Sequence, residues 1–191
     1  MLTPRFARTL LVNGVFAACL LTGAQARAQF ANHSIGFEAG GVYVANPEAQ
    51  RVGSGAQVGL NASLYIESGF EVYFRALVGI HHGDAGICGG KPSGCEVVGV
   101  VPAMGFRYLF SEDTIRPYLG LTVGYLAFFG KNVDNSDNVN SRFSISPMGG
   151  IEFFVSDNFS IGLQAEYHLM LELNGSPAHA VIGVGKVGWY F

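Results

Sequence analysis

The sequence predicts an all-β protein, an eight-stranded antiparallel up-and-down transmembrane β-barrel. Three observations predict it. Apolar residues alternate with small or polar ones at a period of two through eight runs, the spacing of strand side chains rather than helical ones. The connections between runs alternate short and long. The apolar faces are large and aliphatic, whereas the opposite faces carry Gly, Ser, Thr, Gln, Glu, Arg and Lys. A soluble eight-stranded barrel turns its apolar face inward; a membrane barrel inverts this. Eight strands enclose a narrow interior, which small residues and a few charges fill better than eight faces of bulky side chains.

The chain has 191 residues, room for one domain, with 13% charged residues and 27 glycines. It opens with Arg5 and Arg8, an apolar segment over 10–21, and Ala26-Arg27-Ala28. This is the form of a secretory signal peptide over 1–28, cleaved before Gln29, with the barrel domain over 29–191. Cys19 follows small residues, as a lipoprotein cysteine does, but Leu20, Leu21 and the later A-x-A site favour ordinary cleavage. Loss of Arg5, Arg8 and Arg27 leaves eight of the 11 basic residues against 14 acids, a formal charge of −6. That balance offers no basic surface for nucleic acid.

The first strand is expected over 33–44, with Ile35, Phe37, Ala39 and Tyr43 opposite Ser34, Gly36, Glu38 and Gly40. The second, 56–66, alternates most cleanly, from Val58 to Ile66 against Gln57 to Tyr65. In the third, 70–81, Phe70, Phe74 and Val78 oppose Glu71, Tyr73 and Arg75. The fourth, 97–110, sets Val98, Met104, Phe106 and Tyr108 against Gly99, Gly105 and Arg107. The fifth, 116–129, sets Leu119, Leu121 and Val123 against Tyr118, Gly120 and Thr122. The sixth, 143–155, sets Ile145, Ile151 and Phe153 against Ser144, Ser146 and Glu152. The seventh, 159–172, sets Ile161, Leu163 and Tyr167 against Ser160, Gln164, Glu166 and His168. The eighth, 180–191, carries Val187, Trp189 and Phe191 on one face and Lys186, Gly188 and Tyr190 on the other.

Three connections are tight, at 67–69, 111–115 and 156–158; four are longer and polar, at 45–55, 82–96, 130–142 and 173–179. Short turns on the side of both termini and long loops opposite are the arrangement of a membrane barrel, with the loops outward. Runs of this length cross a hydrocarbon core when tilted. Phe70, Phe106, Tyr108, Phe110, Phe153, Phe159, Trp189 and Phe191 all fall near the short-turn rim, as an interfacial girdle does.

The run Arg116-Pro117-Tyr118-Leu119-Gly120-Leu121-Thr122-Val123-Gly124-Tyr125, with the ending Gly188-Trp189-Tyr190-Phe191, resembles the small eight-stranded outer-membrane proteins. These are the group of the OmpA-like transmembrane domain, OmpX and OmpW. The resemblance covers the mature chain; it is specific for architecture and weak for function. It implies a bacterial outer membrane of Gram-negative type as the location. The implied partners are outer-membrane lipid and lipopolysaccharide, with periplasmic chaperones and the barrel-assembly machinery during export. The last strand, through Lys186, Gly188, Trp189 and Phe191, is similar to the C-terminal signal that this machinery reads.

Cys88 and Cys95 are expected to form a disulfide, since an exported chain meets an oxidising compartment. Glu38, Glu71, Arg75, Arg107, Glu152, Glu166 and Lys186 share the inner parity and are expected to pair across the lumen as a polar plug, with Lys186 reaching Glu38. The eighth strand closes the barrel against the first, which brings those two to similar depth, with Glu152 or Glu71 as the other reach of Lys186. Glu166, His168 and Glu172 are the polar grouping closest to a catalytic or metal site, and His81, His82 and Asp84 the one closest to a metal site in a loop; neither joins nucleophile, base and orienting acid. No catalytic residue, metal or cofactor is expected. The expected role is a structural or surface-interaction scaffold. The alternatives are a narrow OmpW-like route for small hydrophobic solutes and a lipid-modifying barrel enzyme.

Overall fold

The computed structural model describes residues 33–45, 52–83, 88, 94–129, 141–171 and 177–191. The expected signal peptide, Asp84, Glu172, the 131–140 segment and most of the other long connections lie outside them. Eight antiparallel strands follow one another around a closed barrel: β1 His33–Val44, β2 Val52–Glu67, β3 Phe70–Gly83, β4 Cys95–Leu109, β5 Ile115–Phe129, β6 Ser141–Ser156, β7 Phe159–Leu171 and β8 Ala178–Tyr190. Closure is made by β1 against β8, from Ser34 opposite Tyr190 to Val44 opposite Ala180. No edge strand is left, the condition for a sheet in lipid.

Parity holds along the membrane-spanning body of every strand, with register shifts near the ends of β2 and β6. Ile35, Leu60, Phe74, Met104, Leu119, Ile145, Leu163 and Val187, one from each strand in turn, all face outward and exposed. A continuous apolar exterior of this extent has no place in water, and lipid is its natural solvent. The charged residues Glu38, Glu71, Arg75, Arg107, Glu152, Glu166 and Lys186 all face inward and are buried.

The three short connections gather at one end. Ser68 and Gly69, with φ of 51° and 84°, make the β2–β3 hairpin, a turn with both central residues left-handed that matches strand twist. Neighbouring turns are laced together: Leu109 N donates to Gly69 O, Phe154 N to Thr114 O and Tyr190 N to Asn158 O. Asn158 Nδ2 returns a bond to Tyr190 O at 2.8 Å, which pins the end of β8 to the β6–β7 turn. Prolines inside the sheet leave their marks. The β4–β5 ladder skips between Val100 and Ala103, around Pro102, and the β6–β7 ladder skips between Ile145 and Met148, around Pro147.

The turn end carries exposed Phe70, Phe106, Tyr108, Phe110, Phe153, Trp189 and Phe191, with Phe70 and Tyr108 rings 4.9 Å apart. A second group of aromatics lies at the loop end, with exposed Tyr43, Tyr125, Phe129, Phe143 and Tyr167 on β1, β5, β6 and β7. Tyr125 and Phe143 meet edge to face at 5.3 Å. Aromatic residues bracketing an aliphatic band at both ends are the profile of a membrane barrel.

Candidate functional site in the barrel lumen

Alternation alone carries the charged side chains inward, and the shear of the barrel then decides which of them meet. Arg107 on β4 is the hub nearest the turn end. Its Nε donates to Glu71 on β3, its Nη1 donates to Glu152 Oε1 on β6 at 2.7 Å, and its Nη2 lies 3.4 Å from Tyr190 Oη on β8. Its guanidinium stands over the rings of Tyr73 at 5.2 Å and Tyr118 at 4.9 Å. Tyr190 Oη completes the set by donating to Glu152 Oε2 at 2.5 Å. Gly150 makes room for Tyr118, because a Cβ there would stand 2.6 Å from the ring's Cζ.

A second knot lies deeper. Arg75 on β3 donates to both oxygens of Glu166 on β7, a bidentate pair in which both side chains are buried. Gln164 Nε2 also donates to Glu166, and His168 Nε2 lies 2.9 Å from its other oxygen. Tyr118 Oη donates to Gln164 Oε1 at 2.6 Å, which joins this knot to the first.

The expected Lys186–Glu38 pair is corrected. The two are direct cross-strand neighbours, but Lys186 Nζ donates to Gln164 Oε1 at 3.2 Å and Glu152 Oε1 at 3.4 Å. It also lies over the Tyr73 ring at 4.8 Å. A long flexible stem lets the ammonium choose the densest set of acceptors rather than the nearest backbone. Glu38, fully buried, is left with Tyr73 Oη at 3.4 Å from each oxygen. Six of the seven charges therefore enter ion pairs and Glu38 does not.

The inner face is not polar throughout. Toward the loop end it turns apolar, with Val42, Val44, Val97, Val101, Leu126, Phe128, Met170, Ala180 and Ile182 buried in one cluster. Cys88 belongs to the same cluster and is joined to Cys95, the first residue of β4, by a disulfide with Cα atoms 5.7 Å apart. Gln57, His81 and His168 line a cavity in this layer, and Arg142, opposite Leu126, is buried at the same end. The lumen thus has a polar half and a dry half. The tyrosines of the plug, Tyr73, Tyr118 and Tyr190, were visible on the inner parity, but only the shear shows that they wrap Arg107.

Glu166 and His168 do meet, but their shared partner is Arg75. Among the described residues no cluster of His, Cys, Asp and Glu could hold a metal ion.

Known structures share this architecture. Neisserial surface protein A superposes with a TM-score of 0.62 at 14% identity, over 84% of this chain and 97% of that one. The fold is that of the small eight-stranded outer-membrane barrels. The N-terminal barrel of Pseudomonas aeruginosa OprF gives 0.56 at 17% identity, over 83% and 97% of the two chains. OprG from Pseudomonas aeruginosa gives 0.54 at 13% identity, over 85% and 99%. No protein-family model matches the sequence, and no curated protein matches it. Identities this low transfer the outer-membrane barrel fold and no residue's role.

Proposed function

We propose that this chain is an integral outer-membrane protein whose barrel is a closed scaffold for the long loops on the cell exterior. It is exported by a cleaved signal peptide, meets outer-membrane lipid and lipopolysaccharide along its apolar wall, and needs no cofactor. The observation that carries the reading is the ion-pair floor, in which Arg107 and Lys186 bind carboxylates and tyrosines drawn from β3, β5, β6 and β8. A barrel filled in this way supports loops and passes no wide stream of water or ions. Arg107, Glu152, Glu166 and Lys186 are each held by several partners, so opening the floor would strand charges in a desolvated lumen. This favours a scaffold over an enzyme or a pore.

A narrow route for hydrophobic solutes is the second reading, and the apolar outer half of the lumen speaks for it. The ion-pair floor opposes it.

The orientation test is protease added to intact cells. Cutting within 131–140, rich in Asn and Asp, is expected; cutting confined to 111–115 contradicts the proposal.

A further inference from the structure

We draw no further inference here: the strongest candidate, the groove on the lipid-facing wall where Gly149, Ala165, Gly183, Gly185 and Ala39 of β6, β7, β8 and β1 lie side by side, is formed by small side chains alone, and nothing in the structure shows what covers it.

Discussion

Glu152 is shared by two cations, whereas Glu38 is paired with none. The two carboxylates lie in the same lumen, yet their removal should have opposite weight. Glu152→Gln leaves both Arg107 and Lys186 short of a counter-charge and is expected to cost about 3–5 kcal/mol. Glu38→Gln removes a buried charge that had only a long tyrosine bond, and is expected to cost less than ~1 kcal/mol or to stabilise. Urea unfolding in micelles measures both. A double-mutant cycle with Lys186→Met is expected to show coupling to Glu152 and near-additivity with Glu38. Strong coupling between Lys186 and Glu38 would mean the ammonium points the other way. The inward position of all seven charges was legible in the sequence, because parity follows from alternation alone. Of their partners, Glu152 was legible as the other reach of Lys186 and is met; the others were not. Glu38 and Lys186 share a rung, but choice of partner depends on shear and on the reach of a four-carbon stem, which no spacing rule encodes.

At the level of elements, the turns and strand ends carry the predictions. Gly69 has φ of 84°, and a Cβ there would stand 2.6 Å from Leu109 O. Gly69→Ala is expected to cost about 1–3 kcal/mol in urea unfolding. Gly183 faces outward with nothing within 4 Å of its missing Cβ, so Gly183→Ala is expected to be neutral or slightly stabilising. A cost for Gly183→Ala equal to that of Gly69→Ala would contradict the assigned faces. The disulfide at the base of β4 predicts that the unreduced mature protein offers no thiol to an alkylating reagent at Cys88 or Cys95. In β8, Trp189 is 57% exposed and Phe191 44% exposed. Replacing Phe191 with a polar residue is expected to reduce the heat-modifiable protein in the outer membrane far more than a matching change in a long loop. Recovery at wild-type level would remove the assembly role. Eight strands were legible in order, with turn-end limits close to those found. The loop-end limits were not: β2 begins at Val52 rather than 56 and β8 at Ala178 rather than 180. There Gly55, Ala178 and His179 carry little alternation yet still pair, while Gly53 and Ser54 fall at a register shift between Val52 and Gly55.

At the scale of the whole molecule, the outer wall was legible because lipid demands one chemistry along its entire height. The lumen was half legible. Its charges announce themselves, whereas an inward Val, Leu or Ile is indistinguishable in a sequence from an outward one once alternation weakens. Ile182 and Val184 on β8 show this, since they flank Gly183 and extend the apolar pattern on both faces. The structure divides the interior in two, ion pairs toward the turns and an apolar cluster toward the loops. The central claim is therefore that the barrel is shut, and the most direct measurement is single-channel conductance of the refolded protein in a planar bilayer. The expected result is a silent membrane at moderate voltage, with current appearing when Arg107→Ala opens the floor and the dry layer is also cut back by Phe128→Ala. Steady open-channel current from the wild-type protein would contradict the account.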